Sequence, residues 1–132
     1  MAALALLLLF VPGCTPPPAK VAGTWSGLLT LSEGDLYAGV TSPIGLSLTQ
    51  DEATLGGEVA LEIAGAGFPL DITGGRVTAN SIVIQAAGVT PGYGDHVTLE
   101  LEGRVSGDRI SGTGTEMING AAHHFSWEVD RT

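Results

Sequence analysis

In Val97-Thr98-Leu99-Glu100-Leu101-Glu102-Gly103-Arg104-Val105, Val97, Leu99, Leu101 and Val105 fall on one side of the chain. Thr98, Glu100, Glu102 and Arg104 fall on the other. Only an extended strand, with its period of two, turns such a pattern into one dry face and one wet face. The alternation recurs along the chain. Ile44, Leu46 and Leu48 stand against Gly45, Ser47 and Thr49, and Val59, Leu61 and Ile63 against Glu58, Ala60 and Glu62. Phe68, Leu70 and Ile72 stand against Pro69, Asp71 and Thr73, and Phe125, Trp127 and Val129 against Ser126, Glu128 and Asp130. No stretch after Pro18 carries helical periodicity at length, so the expected class is all-β.

Eight strands are predicted, at about 24–32, 43–50, 56–64, 68–77, 81–87, 96–105, 109–117 and 123–131. Most gaps are short and hold Gly, Asp, Asn or Ser, as hairpins require. Two longer gaps, near 33–42 and 87–95, each carry Gly and Tyr, with Pro91 in the second and Pro43 just after the first, and such loops tend to hold binding residues. Gly75-Arg76-Val77-Thr78-Ala79-Asn80-Ser81-Ile82 is echoed by Gly103-Arg104-Val105-Ser106-Gly107-Asp108-Arg109-Ile110, which reads as the same hairpin chemistry used twice. Apolar residues are even-numbered before Gly74-Gly75 and odd at Val77, so a bulge is expected at the glycine pair. Consecutive hairpins without a long crossover favour an antiparallel up-and-down eight-stranded barrel, whose closure removes exposed edges. A β-sandwich is the alternative.

The 132 residues hold 5 Lys and Arg against 14 Asp and Glu, a net charge of −9. That balance disfavours nucleic acid, which needs a basic surface, and a polybasic membrane contact. One Cys excludes an internal disulfide and a Cys-based zinc site. That residue, Cys14, follows the apolar run Ala2–Val11. Ten residues at 1.5 Å rise are too short to cross about 30 Å of hydrocarbon as a helix, but they fit the apolar region of a secretory signal peptide. Val11-Pro12-Gly13-Cys14 resembles the bacterial lipobox, although no Lys or Arg precedes the apolar run. The resemblance implies cleavage before Cys14, acylation of Cys14, and a cell-envelope protein held to the membrane by its lipid. In an organism with two membranes, Thr15 after the Cys would suggest the outer one. The expected organisation is a signal peptide over 1–13, a lipidated, Pro-rich tether over 14–22 and a barrel domain over 23–132.

Gly23-Thr24-Trp25, at the start of the first strand, resembles the Gly-X-Trp motif of the calycins: lipocalins, avidins and fatty-acid-binding proteins. In those barrels the Trp closes one end and a basic residue of the last strand packs across it. The resemblance implies a calycin-like barrel with Gly23, Trp25 and Arg131 as the closing set. No ligand residues carry over from the family.

The chemistry-bearing motifs are few. There is no His-Glu-X-X-His, Gly-X-Ser-X-Gly or Ser-X-X-Lys, so no nucleophile nominates itself and no enzyme or cofactor is expected. His123 and His124 are adjacent on a strand and point to opposite faces, so they cannot share a pocket, and no metal is expected. Ser111-Gly112-Thr113-Gly114-Thr115 reads as a strand whose missing side chains make room for a large neighbour, Trp127 or Trp25. The expected inner face is Trp25, Leu29, Leu31, Leu46, Leu48, Leu61, Ile63, Leu70, Ile72, Ile84, Leu99, Leu101, Phe125 and Trp127. It carries no acid, and Arg131 at the rim is its only base. The expected function is a non-catalytic binding module for a small hydrophobic or lipid-like ligand. Trp25, Phe68, Phe125 and Trp127 are its candidate contacts, with Tyr37 and Tyr93 from the long loops. The alternative is a protein–protein module, an enzyme inhibitor or envelope-assembly factor, whose acidic surface suits a basic partner.

Overall fold

The computed structural model describes residues 16–32, 34, 37–63, 66–92 and 94–132. Residues 1–13, on which the expected signal peptide falls, Cys14 and Tyr93 lie outside the described residues, as does the side chain of Ile63. The chain forms β1 (Gly23–Leu31), β2 (Thr41–Asp51), β3 (Thr54–Ile63), β4 (Ala66–Thr78), β5 (Ser81–Val89), β6 (His96–Ser106), β7 (Arg109–Ile118) and β8 (Ala121–Arg131). Each strand pairs antiparallel with the next, and β8 returns to β1. The result is a closed up-and-down barrel, and the sandwich alternative falls. Every strand boundary lies within two residues of the predicted one. The second long loop is shorter than expected, because Gly88 and Val89 pair with Val97 and His96 and extend β5. The rest of that loop is held by Thr90, whose hydroxyl accepts from the Asp95 amide.

The alternating residues line one interior. Ile44, Leu46 and Leu48, Val59 and Leu61, Phe68 and Leu70, Ile82 and Ile84, Val97, Leu99 and Leu101, and Phe125, Trp127 and Val129 are all buried in one core. The phase change in β4 is absorbed where the glycine pair predicted it. The register with β5 shifts between Ile72 and Gly74, and Val77 regains the inner face with an odd number. Glu58, Asp71, Glu100, Glu102 and Glu128 are exposed on the outside. That polarity is the reverse of a membrane-spanning barrel, which turns its apolar band to lipid.

The glycines of β6 and β7 make the core fit. Gly112 faces Trp127 on one side and Gly103 on the other, and Gly114 faces Phe125. A Cβ on Gly114 would sit 2.6 Å from Phe125 Cζ, and one on Gly103 would sit 3.0 Å from Trp127 Cζ2. Trp127 lies over the glycine row, as the sequence suggests, and donates from Nε1 to the Thr113 carbonyl at 3.0 Å. Phe125 is the second ring in that space.

The two barrel ends differ. One carries the start of β1, the end of β8, and the β2–β3, β4–β5 and β6–β7 hairpins. There, residues 19–22 lie across the opening. Val21 is fully buried, and its amide donates to Gln50 Oε1 at 2.7 Å. Gln50 Nε2 donates to the Ala19 carbonyl at 2.9 Å, and the Ala19 amide to the Ala79 carbonyl at 2.8 Å. This is the closed end, and half of the tether segment belongs to it. The other end carries the 32–40 loop, the 90–95 loop and the β3–β4 and β7–β8 hairpins. The ring of strands runs from Gly23 to Arg131, and among the described residues its core reaches back to Val21 in the arm.

Candidate functional site

At the closed end the structure brings Gly23, Trp25 and Arg131 together. Trp25 and Arg131 are cross-strand partners on β1 and β8, and the guanidinium carbon lies 4.2 Å from the centre of the indole. Gly23 has φ of +123°, a conformation that L side chains rarely adopt, and a Cβ there would stand 3.8 Å from Arg131 Nη1. Trp25 donates from Nε1 to the Val21 carbonyl at 2.9 Å. Arg131 donates to the Ala22 and Lys20 carbonyls, each at 3.1 Å, and to Asp108 at 3.0 Å. Arm, Trp and Arg thus form one cap, leaving no ligand route to Trp25, which is 1% exposed.

At the opposite end the described residues leave a cleft of about 480 Å³, lined by Leu29 and Leu31 of β1, Tyr37 and Val40 of the 32–40 loop, and Thr41, Ser42 and Pro43 of β2. Leu61 and Glu62 of β3, Glu116 and Ile118 of β7 and His123 of β8 complete the wall. The volume falls within the roughly 300–1,000 Å³ of small-molecule sites. Of the aromatic candidates, Tyr37 lines this cleft. Phe68 and Phe125 are buried beside it as the cross-strand partners of Leu61 and Leu31. Trp127 is buried on the glycine row, and Trp25 belongs to the cap. The structure therefore does not gather these aromatics into one wall. The cleft is mostly aliphatic.

The interior also carries more charge than the sequence suggests. Glu116 shares the phase of Ile110, Gly112 and Gly114 on β7 and is half-buried, and its cross-strand partner on β8 is His123. Both side chains line the cleft, so the expectation of an inner face with no acid and only Arg131 as a base is corrected. The signal was hidden by chemistry: two glycines precede Glu116 on its face, and alternation cannot be read where there is no side chain. His123 and His124 do diverge. His124 turns outward, with Nδ1 3.0 Å from the Thr115 hydroxyl. Among the described residues, no group of three or more His, Cys, Asp or Glu is placed to hold a metal ion.

Burial pushes the Glu116 carboxyl above the usual carboxylate range, and the nearby His123 draws it partly back. A carboxyl raised on folding binds its proton more tightly in the native state than in the unfolded one. Its contribution to stability is therefore full below its unfolded titration range and is lost as pH rises through the raised value. Glu116→Gln removes this dependence. Urea melts of the two proteins should nearly coincide at about pH 4. As pH rises toward about 8, the Gln variant should become progressively the more stable. A difference that does not change with pH would contradict this reading of the cleft.

A scan against protein-family models and a search of curated proteins find no match to this chain. What its fold and ends define is a small, closed, eight-stranded antiparallel barrel that fits the calycin-like architecture.

Proposed function

We propose that the protein is a non-catalytic, lipid-anchored module of the cell envelope that binds a small hydrophobic or lipid-like molecule in the cleft opposite its cap. The observation that carries this reading is the cleft itself. Among the described residues it is a largely apolar concavity of ligand size at the end of the barrel opposite the cap. Each methylene moved from water onto such a wall contributes about 0.8 kcal/mol. Leu29, Leu31, Val40, Pro43, Leu61 and Ile118 supply that wall.

The arm supports an orientation. Pro17 and Pro18 lie at the closed end beside Gln50 and Glu52. A lipid on Cys14 would be four residues away, or about 12 Å of extended polyproline chain. The cap would then face the membrane and the cleft would face away from it. Native mass spectrometry of the protein purified from its own host tests the reading. A defined extra mass that disappears on denaturation is the expected result. A clean apo mass under conditions that retain known barrel ligands would count against it.

The second reading, a protein–protein module for a basic partner, is favoured by a different surface. A groove of about 640 Å³ runs over the outside of β7, β8 and β1, with Leu28 at 52% exposure beside Glu128 and Asp130. Both carboxylates already hold Arg109, at 3.2 and 2.8 Å, which weakens their claim on a partner's base. The cleft remains the stronger site.

A further inference from the structure

We propose that the cleft opposite the cap selects cationic amphiphiles, taking an apolar body on the Leu29, Leu31, Leu61 and Ile118 wall and an ammonium group against Glu116. The proposal rests on the hydrophobic-ligand reading and adds the charge of the head group to it.

The distribution of charge along the barrel carries the argument. The chain has five Lys and Arg: Lys20, Arg76, Arg104, Arg109 and Arg131. Lys20 is in the capping arm. Arg76 and Arg104 stand two residues before the closed-end ends of β4 and β6. Arg109 opens β7 at that end, and Arg131 closes β8 there. None of the five lines the cleft. The cleft instead holds Glu116 on β7 and Glu62 on β3, in a protein of net charge −9. Field lines from this end therefore favour arriving cations.

Each alternative head group fares worse against these residues. A carboxylate or phosphate would meet Glu116 and Glu62 with no Lys or Arg in the cleft to receive it. A neutral body would cover Glu116 and remove its remaining water without supplying a hydrogen bond in its place, and burying a carboxylate further is costly. An ammonium replaces that water with a charge-assisted hydrogen bond. The cleft wall half-buries the carboxyl, and that burial pushes it above the usual carboxylate range. The titratable groups that line the cleft with Glu116 are His123, its cross-strand partner on β8, the exposed Glu62 at the β3 rim and Tyr37 of the 32–40 loop. Acidification neutralises the carboxylates and adds no negative charge, so cation binding should weaken as pH falls.

The test uses the whole protein and isothermal titration calorimetry at pH 8 and low salt, with decylamine, decanol and decanoate as probes. At that pH the alkylamine is an ammonium ion. Decylamine should bind about tenfold more tightly than decanol, and decanoate should bind most weakly. Glu116→Gln should cost decylamine about tenfold and change decanol less than about twofold. His123→Gln should keep decylamine binding, which separates the carboxylate's role from its neighbour's. Decanol or decanoate binding as tightly as decylamine would overturn the cation inference and leave the hydrophobic-ligand reading standing. So would an unchanged decylamine affinity in Glu116→Gln, or an equal loss in His123→Gln. Failure of all three probes to bind would overturn both.

Discussion

Gly112→Ala, the addition of one methyl group, should destabilise the barrel by about 3 kcal/mol or more, the upper end of what overpacking costs. The reason is what the new Cβ would meet. The Glu102 carbonyl oxygen would lie at 1.8 Å and the Gly103 Cα at 2.5 Å. Both are backbone, so no rotamer change relieves the collision. β6 and β7 must therefore separate at this point, breaking their ladder. For a domain of this size the loss corresponds to a fall of roughly 10–15 °C in Tm. Gly45→Ala is the control. Its Cβ would sit 3.6 Å from the Trp25 carbonyl oxygen and 3.8 Å from Ala60 Cβ, which is ordinary contact. Gly is also the weaker strand former, so that variant should melt within a few degrees of the parent or above it. Thermal denaturation followed by circular dichroism separates the two. Equal Tm values for the variants would show that the glycine row is not a packing requirement.

That row also marks where the sequence stops being readable. Strand positions were legible because most inward places hold Leu, Ile, Val or an aromatic against polar neighbours. The β4 bulge was legible because a phase error in the alternation can only be absorbed there. The Trp25–Arg131 stacking rests on a three-residue motif and on Arg131 sharing the parity of Trp127 and Val129. The cleft was not legible. It is built from the ends of strands distant in sequence, and its walls are ordinary aliphatic residues that also read as core. The aromatics that stood out did so because of their size, and size sends Trp127 and Phe125 onto glycines in the packed interior rather than into an open mouth. Glu116 was missed on the inner face because Gly112 and Gly114, which precede it there, have no side chain to show the alternation, and the β7–β8 register then sets it opposite His123.

The largest effect expected at the other end comes from Trp25→Ala. Removing a buried indole costs about 3–5 kcal/mol through lost contacts and the cavity left behind. Here the damage extends beyond the side chain. Trp25 is the donor for the Val21 carbonyl and the platform for Arg131, and Arg131 in turn holds the Lys20 and Ala22 carbonyls. Without the indole, the arm keeps Gln50 and the Ala79 carbonyl but loses the surface on which Val21 is buried. Trp25→Phe separates the two roles. It keeps an aromatic floor for Val21 and Arg131 and deletes the Nε1–H donor, at about 1–2 kcal/mol. Hydrogen exchange gives the readout that stability alone does not. The amides of Ala19 and Val21 should exchange much faster in Trp25→Ala and only modestly faster in Trp25→Phe, while core amides of β5 and β6 keep their order of protection. If the arm amides stay fully protected in Trp25→Ala, then Gln50 and Ala79 suffice to hold the arm, and the cap is not organised by Trp25. If they open as expected, Trp25 is the residue that organises the cap, and Gln50 and Ala79 only reinforce it.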